Sequence, residues 1–280
     1  MPSLQYLLPK KLLTELAGAF ARSQSGALTQ FAIRKFVAKY GVNMAEALNP
    51  DPASYASFND FFTRALKPSA RPLAQAAYVC PVDGAISQFG DINGDQIFQA
   101  KGHHYSTRAL VGGDATLAAQ FDGGQFATIY LSPKDYHRIH MPCGGSLRRM
   151  FYVPGDLFSV NPATAQSVPG LFARNERVVC VFDTARGPFV LTLVGATIVG
   201  SMATLWHGAV NPPRTAAIGE WTYAPGAVDL KQGDEMGRFL LGSTVVLLWP
   251  KSTSNTLRFA DHWKPAQPVK MGEFMATALA

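Results

Sequence analysis

The sequence of 280 residues is poor in cysteine, in charged residues and in long apolar runs, and each shortage excludes a class of protein. Its three cysteines are far apart and odd in number, which fits a reduced cytoplasmic setting and argues against a disulfide framework or a zinc site. No apolar run approaches the roughly 18–20 residues that span a bilayer. The N-terminus lacks the basic start and unbroken apolar core of a signal peptide. With 48% hydrophobic and 16% charged residues, the chain is expected to be globular rather than disordered.

Acidic residues are almost missing from the first 45 positions, where Glu15 is the single one. This segment has a net charge of +5, which leaves +1 of the formal +6 for the other 235 residues. Such an imbalance indicates an acidic partner, either nucleic acid or an anionic membrane surface. The basic residues alternate with bulky aliphatic ones and no nucleic-acid recognition motif is present, so the membrane is favoured. They are Lys10, Lys11, Arg22, Arg34, Lys35 and Lys39.

Residues 1–66 are predicted to be helical and amphipathic. Two helices are indicated by apolar side chains at helical spacing, with Gly41 as a C-cap of the second. Asn43 and Ser57 are predicted to cap two further short helices. Such helices either pack on the domain behind them or lie in a membrane interface, and the sequence leaves both open. The apolar positions are Leu12, Leu16 and Phe20 in the first helix and Ile33, Phe36, Val37 and Tyr40 in the second.

From about residue 75, glycine and proline separate short segments rich in β-branched and aromatic residues, a pattern typical of antiparallel strands. The predicted fold class is therefore α+β, with N-terminal amphipathic helices packed on an antiparallel β barrel or sandwich. The boundary is placed in PSARPLAQ, residues 68–75. This divides the chain into a helical, membrane-associating segment at 1–70 and a β-rich catalytic domain at 71–280.

Three local features carry reactive side chains, and each also has a plain structural interpretation. Asp83 precedes a glycine in CPVDGAIS, which is common in turns. His137 and His140 lie three apart in LSPKDYHRIHMP, where one of them could be a hydrogen-bonded structural residue. An H-x-x-H pair can also bind a metal, but no second cluster of ligands follows, so no metal is expected. Gly242 and Ser243 interrupt the apolar run FLLGSTVVLL, as a strand bulge would.

Serine, histidine and aspartate together are the parts of an activated nucleophile. Ser243 does not lie in a G-x-S-x-G elbow, and a core strand offers little access to an external acyl group. Its hydroxyl is, however, next to the carbonyl of Gly242, where glycine permits strained dihedrals and adds no Cβ. The hypothesis is an N→O shift to an ester, followed by β-elimination. The chain is then cut, and a dehydroalanine hydrolyses to a pyruvoyl group and ammonia.

The order and spacing of these motifs closely resemble those of the phosphatidylserine decarboxylase family, in its short bacterial membrane-associated form. The resemblance covers nearly the whole chain, although the chain is somewhat shorter than the type. The matching segments are PVDG, DYHRIHMP, LGST, FNDFFTR, KGHHYS, GDLFSVNP, LFARNERVV, VGATIVGS and KQGDEMGRF. The resemblance implies decarboxylation of phosphatidylserine to phosphatidylethanolamine through a Schiff base with a covalent pyruvoyl group, which serves as an electron sink.

The resemblance also implies a role for each matching residue. Asp83, His140 and Ser243 correspond to the self-processing triad, with Asp83 orienting His140 and His140 acting as the base toward Ser243. His137 corresponds to the histidine of the decarboxylation step, with a role as proton donor. Ser159, in FSVNP, corresponds to a position near the substrate.

Cleavage between Gly242 and Ser243 would give a β chain of residues 1–242 and an α chain of residues 243–280. The two chains are expected to stay together as a heterodimer, and a homodimer of that unit is left open. The expected partner is phosphatidylserine in an anionic membrane and not nucleic acid, with the protein peripheral on the cytoplasmic face of the cell membrane.

Three other functions remain open from the sequence. One is a pyruvoyl-dependent decarboxylase of a soluble amino acid, which the lipid-docking helices argue against. A second is a non-catalytic membrane-bound β scaffold in which LGST is only a bulge. A third is a hydrolase that uses Ser243 directly as its nucleophile.

Overall fold

The computed structural model describes residues 9–197, 201–240, 244–251 and 257–278. The predicted cleavage site at Gly242 and Ser243 lies outside the described residues. Three helices near the N-terminus are followed by antiparallel sheets, which confirms the predicted α+β class. The helices are α1 (Lys10–Arg22), α2 (Ala27–Tyr40), α3 (Phe58–Phe62), α4 (Thr107–Leu110), α5 (Ala115–Ala119), α6 (Pro162–Ala165) and α7 (Leu171–Arg174), with 3-10 turns at Met44–Glu46, Pro52–Ser54 and Pro68–Ala70.

The helical segment has an aromatic core of its own. Ile33 of α2 is fully buried against Phe58 and Phe61 of α3. Gly41 ends α2 in the left-handed conformation, with φ of 64°, as predicted for a C-cap. Ser57 caps α3 with a reciprocal capping box, and Asn43 accepts a hydrogen bond at the start of the first 3-10 turn. The predicted caps are therefore confirmed.

Helix α1 turns its apolar side away from the protein. Thr14 and Ala21 face inward and are buried, whereas Leu12, Leu16 and Phe20 are 55%, 60% and 41% exposed. The small residues allow the helix to pack closely, and the large ones are left in solvent. Among the described residues, no helix combines the length and the apolar character needed to cross a membrane.

Four short helices, α4 to α7, lie between the strands, and helical periodicity missed them because each has only four or five residues. Side chains at the preceding positions begin three of them: Ser106, Asp114 and Asn161 each accept a backbone N–H of the first turn.

The β domain is built around one antiparallel sheet of nine strands, in the order β12-β7-β8-β9-β15-β5-β2-β17 with β13 beside β7. Three smaller sheets have the orders β11-β10-β14-β6, β1-β18-β16 and β3-β4. The strands are β1 (Tyr78–Val79), β2 (Gly84–Asp91), β3 (Gln96–Ala100), β4 (His103–Ser106), β5 (Gln125–Tyr130), β6 (Arg138–His140), β7 (Gly145–Val153), β8 (Arg177–Thr184), β9 (Gly187–Val194), β10 (Met202–Thr204), β11 (Gly208–Asn211), β12 (Gly219–Thr222), β13 (Asp229–Leu230), β14 (Glu235–Phe239), β15 (Thr244–Trp249), β16 (Leu257–Phe259), β17 (Pro268–Val269) and β18 (Phe274–Ala278).

Strand β15 explains why the apolar run near the C-terminus is continuous. It lies between β5 and β9, and side chains from both of its faces enter a core. Val245, Leu247 and Trp249 join the cluster shared with the smaller sheets, while Val246 and Leu248 join the one under the short helices. A strand buried on both faces has no polar face to alternate with.

The arrangement is sandwich-like and is not a closed barrel. In the described part of the chain, the large sheet ends at β12 on one side and at β17 on the other. Of the two architectures left open by the strand pattern, the sandwich is therefore the one observed.

Candidate active site

The histidine-bearing segment pairs with the strand that leads toward Gly242. Strand β6 is antiparallel to β14, with Arg138 opposite Arg238 and His140 opposite Glu235. One step beyond the ladder, the Phe239 N–H donates to the His137 carbonyl oxygen at 3.0 Å. His137 thus lies at the end of β14 from which the chain continues to the predicted cleavage site.

His137 is fully buried and neutral. Its Nδ1 is 2.8 Å from the carbonyl oxygen of Asp135, so Nδ1 carries the proton and donates it. Nε2 therefore holds a lone pair, and it is buried without a hydrogen-bond partner among the described residues. The Phe62 ring packs on the imidazole with centroids 4.1 Å apart. Burial lowers the pKa of His137 to about 3, and the charge of Arg64 lowers it further while the Asp135 carbonyl opposes the shift.

His140 is also held as one tautomer, by different partners. Its Nδ1 donates to the Gly233 carbonyl oxygen at 2.8 Å, which places the lone pair on Nε2. The Tyr136 hydroxyl, 3.0 Å away, donates to that nitrogen. Burial lowers the pKa of His140, against the opposing effects of Gly233 and Glu235. Both histidines are therefore neutral rings with an unprotonated Nε2.

Asp83 lies immediately before β2, in a bend and not in a hairpin turn. Glycine is required after it because a Cβ on Gly84 would collide with the Tyr130 carbonyl oxygen on the neighbouring strand. The carboxylate accepts hydrogen bonds from Arg71 Nε, at 2.9 Å to Oδ1, and from Arg71 Nη2. It also accepts the Met271 N–H at 2.9 Å. In the described residues, the partner that orients Nδ1 of His140 is Gly233, whereas the side chain bound to Asp83 is Arg71.

Ser159 lies half-buried in a loop that Asn175 holds in place. The Asn175 side chain accepts the Phe158 N–H at 3.0 Å and donates to the Phe158 carbonyl oxygen at 2.8 Å. Next to this loop is a mostly apolar cavity of ≈ 170 Å³, lined by Val160 and Tyr130 among others. Tyr130 is the residue opposite Thr244 in the large sheet. The loop of Ser159 and the start of β15 are thus near the same cavity.

Two residues that flank the predicted cleavage site are well placed by the sheets. Leu240 donates its N–H to the Ser201 carbonyl oxygen at 3.0 Å. Thr244 lies between Tyr130 and Val194 in the large sheet. Gly242 and Ser243 themselves lie outside the described residues, so their assignment stays a prediction.

A family model described as phosphatidylserine decarboxylase matches residues 58–277. The chain belongs to the phosphatidylserine decarboxylase family. A second model, described as PSD, matches residues 3–41. The assignment to this family of enzymes, made from the motifs, is therefore confirmed.

Similar proteins named phosphatidylserine decarboxylase proenzyme match almost end to end. The one from Polaromonas naphthalenivorans is 71% identical over 279 residues, which cover 99% of this chain and 96% of that protein. The one from Variovorax paradoxus is 70% identical over 272 residues, 97% of this chain and 95% of that protein. The one from Dechloromonas aromatica is 66% identical over 273 residues, with 98% and 96% covered.

Sequence reasoning missed three side chains at this candidate site. Arg71 lies in the segment interpreted as a domain boundary, so nothing indicated that it binds Asp83. Tyr136 lies inside the DYHRIHMP motif, and its contact with His140 could have been suspected from that position alone. Arg64, in FNDFFTR, is buried beside the histidine loop, where its Nη2 donates to the Asp135 carbonyl oxygen.

Proposed function

We propose that this member of the phosphatidylserine decarboxylase family converts phosphatidylserine to phosphatidylethanolamine, using a pyruvoyl group that it makes by cutting its own chain between Gly242 and Ser243. The observation that carries the proposal is the hydrogen bond from the Phe239 N–H to the His137 carbonyl oxygen. It joins the histidine segment to β14, and Gly242 follows Phe239 by three positions in the sequence. The name proenzyme, printed for the relatives, supports a precursor that is cut into two chains.

In the proposed cleavage, Ser243 Oγ attacks the carbonyl carbon of Gly242 and the amide C–N bond breaks, which leaves an ester and a free amine. Loss of the Ser243 Cα proton then expels the Gly242 carboxylate. The resulting dehydroalanine takes up water and releases ammonia, which leaves the pyruvoyl group at the start of the α chain. Glycine before the serine removes the side chain that would hinder the attack.

His140 suits the role of base in this cleavage. Its Nδ1–H is occupied by Gly233, so Nε2 is the atom that can accept the Ser243 hydroxyl proton. The Tyr136 hydroxyl now donates to Nε2, and the serine hydroxyl has to take its place there. Asp83 acts through its negative charge, which raises the pKa of His140 and stabilises the imidazolium formed by proton transfer.

The buried residues fit a pyruvoyl group close to His137, because its Nε2 is a buried lone pair without a hydrogen-bond partner within the described ranges. The pyruvoyl carbonyl supplies a site for the substrate amine and a sink for the electrons released with carbon dioxide. His137 has a pKa near 3 and is neutral at working pH, so it must take up a proton before it can donate one. We assign Nε2 to accept a proton from the substrate ammonium and to return it to the substrate Cα.

The exposed side of α1 supports docking on an anionic membrane. Leu12, Leu16 and Phe20 form an apolar stripe in solvent, on a segment with a net charge of +5. A helix that lies in the interface of an anionic membrane inserts its apolar side chains among the lipids and places its cations at the headgroups. Phosphatidylserine is itself anionic and stays in the bilayer, so the same contact brings the site to its substrate.

The deciding experiment is intact-mass analysis of purified wild-type protein and Ser243→Ala. Wild type should give two chains, of residues 1–242 and 243–280, and the small chain should resist Edman sequencing because it lacks a free amine. Ser243→Ala should stay uncut and inactive. His140→Ala should block or greatly slow the cut, and Asp83→Asn should slow it. Normal splitting of Ser243→Ala would refute the proposal.

The same samples separate the rival functions. An uncut, inactive wild-type chain would favour a non-catalytic scaffold. Trapping of Ser243 by an acylating inhibitor would favour a hydrolase, since a pyruvoyl group has no hydroxyl to acylate. Equal activity on serine and on phosphatidylserine would favour a decarboxylase of soluble amino acids.

A further inference from the structure

A cavity of ≈ 290 Å³ lies between the N-terminal helical segment and the start of the β domain. Its lining includes Asp83 and Tyr136, so it borders the proposed processing machinery. Including Asp83, the charged residues of the lining are four cations and three carboxylates, namely Arg64, Arg71, Lys134, Lys270, Glu46, Asp83 and Asp135. Whether each charge already has a partner decides what the cavity can bind.

Arg64 is a buried cation in this lining whose hydrogen bonding is incomplete. It is 4% exposed, and its Nη2 donates to the carbonyl oxygens of Lys134 and Asp135 at 3.2 and 3.5 Å. In the part of the chain that the structure describes, its Nε is buried without a hydrogen-bond partner. Burial lowers the pKa of the guanidinium, as expected where nearby groups do not fully replace the hydration that the charge has lost. The charges of Asp83 and Asp135 oppose this shift, but neither carboxylate forms an ion pair with Arg64 in the described residues. A buried cation without an ion-pair partner is costly, so this site favours an anion.

The three carboxylates of the lining are already bound by other groups. Each accepts at least two hydrogen bonds, so none is directed solely at Arg64. Their partners are Arg71 and Met271 for Asp83, Arg71 and Lys270 for Glu46, and the Ser132 N–H and hydroxyl for Asp135. Within the residues that the structure describes, Arg64 and Lys134 are the lining cations outside any ion pair.

We propose that Arg64 and Lys134 bind the phosphodiester of the lipid headgroup in this cavity, an inference that rests on the proposed function. Lys134 is exposed at the cavity mouth, and its carbonyl oxygen is one of the two that Arg64 contacts. The pair is close to the reacting centre, since Phe62, two residues before Arg64, packs on the His137 ring. A phosphodiester held there leaves the serine part of the headgroup to extend toward His137.

The phosphodiester suits this pair better than the substrate carboxylate does. The carboxylate loses its charge as carbon dioxide leaves, so an arginine that stabilises it in the ground state would raise the barrier. The phosphodiester keeps its charge throughout the reaction. Tight binding of that group lowers KM without opposing the chemical step.

The test uses two soluble competitors of the processed enzyme, with dihexanoyl phosphatidylserine as substrate. Dihexanoyl phosphatidylglycerol carries the phosphodiester alone, and O-hexanoyl-serine carries the amine and carboxylate alone. In Arg64→Gln, KM and the inhibition constant of the phosphatidylglycerol should rise about 10- to 100-fold, which is the value of a charge-assisted hydrogen bond. The inhibition constant of O-hexanoyl-serine should change little, and kcat should change less than KM, since Arg64 acts on the chemical step only through the pKa of His137.

Two further variants keep the test decisive. Lys134→Gln changes an exposed side chain that the fold does not need, and should raise KM about 2- to 5-fold. Arg258→Gln removes a cation that is 65% exposed and outside the cavity, and should leave all constants unchanged. If Arg64→Gln fails to fold, unchanged constants in Lys134→Gln would overturn the inference.

The remaining outcomes are equally distinct. Weaker inhibition by O-hexanoyl-serine alone would assign Arg64 to the carboxylate and overturn the inference. Unchanged inhibition by both competitors would mean that Arg64 only stabilises the histidine loop through its hydrogen bonds, and would overturn the inference. Mass analysis of each sample reports the cut at Gly242–Ser243. An uncut wild-type chain would refute the proposed function, whereas a cut Arg64→Gln with wild-type constants would refute only this inference.

Discussion

The two histidines of the DYHRIHMP motif make separate contacts, and this argues for separate roles. His137 donates to Asp135, while His140 donates to Gly233 and accepts from Tyr136. Residues 138–140 are extended, so the segment does not place both rings on one helical face. Loss of one ring therefore leaves the hydrogen bonds of the other intact.

His137→Ala should consequently still be cut into two chains but decarboxylate poorly. The expected loss of kcat is roughly 10²–10⁴-fold, the usual contribution of a positioned acid–base group. Borohydride reduction in the presence of phosphatidylserine should still attach lipid to the 38-residue chain, because capture of the amine needs only the carbonyl. An uncut His137→Ala would contradict the division of roles, and a cut, fully active one would make His137 structural.

Burial of His137 also predicts how stability depends on pH. Its pKa is about 3 in the folded protein and about 6.5 when unfolded, so the unfolded state binds the proton first. Stability is therefore lost as pH falls from about 6.5 toward 3. His137→Asn keeps an N–H for Asp135 but does not titrate. In the uncut Ser243→Ala background, it should lose about 2 kcal/mol less unfolding free energy between pH 7 and pH 5. Urea unfolding at both pH values measures this, and equal losses would contradict it.

At the scale of elements, Arg71 ties the helical segment to the start of β2. Its guanidinium binds Asp83 and, at 2.7 Å, Glu46, and the side chains of Arg71 and Asp83 are only 6% and 10% exposed. The segment interpreted from the sequence as a boundary is thus fixed by a buried ion pair. The packing of the helical segment on the β domain is therefore linked to the orientation of Asp83.

Arg71→Gln should lower the unfolding free energy by about 3–5 kcal/mol, because it leaves the Asp83 carboxylate buried without its cation. Adding Asp83→Asn should recover part of that loss by removing the charge. Arg258→Gln, which breaks an exposed pair with Asp261, should cost less than about 1 kcal/mol. Urea unfolding of these three variants and of their parent, all in the Ser243→Ala background, gives the comparison. A further loss on adding Asp83→Asn would contradict the buried-charge argument.

Some elements of the structure could be predicted from the sequence, and others could not. Helix α2 and strand β15 were predictable because their apolar residues follow one local pattern. The partners of Asp83 and His140 were not, because Arg71 is 12 positions from Asp83 and Gly233 is 93 from His140. Neither pairing produces a periodic pattern in the sequence, because each depends on how segments far apart in the chain pack together. The choice between sandwich and barrel likewise depended on which strands pair at the sheet edges.

At the scale of the whole molecule, charge and exposed apolar area are concentrated in the same place. The first 45 residues hold +5 of the +6 net charge, and α1 exposes its large apolar side chains there. On α2, Lys35 Nζ lies 5.6 Å from the centre of the exposed Phe31 ring, so cation and apolar surface are adjacent. An anionic bilayer can bind the positive charge through its headgroups and bury the exposed apolar side chains.

Vesicle binding should therefore depend on both charge and the α1 stripe. Binding to vesicles containing phosphatidylglycerol should weaken as salt rises, because exposed charges are screened within about 10 Å at 0.1 M. Leu16→Gln should weaken it about 10- to 100-fold, since burial of one leucine contributes roughly 1.5–3 kcal/mol. Leu205→Gln is the matched control, because Leu205 is 55% exposed, close to the 60% of Leu16, but lies between β10 and β11. It should bind like wild type, and both variants should still cut at Gly242–Ser243. Equal binding by the two variants would remove the α1 stripe from the membrane contact, and binding that ignores salt would remove the charge.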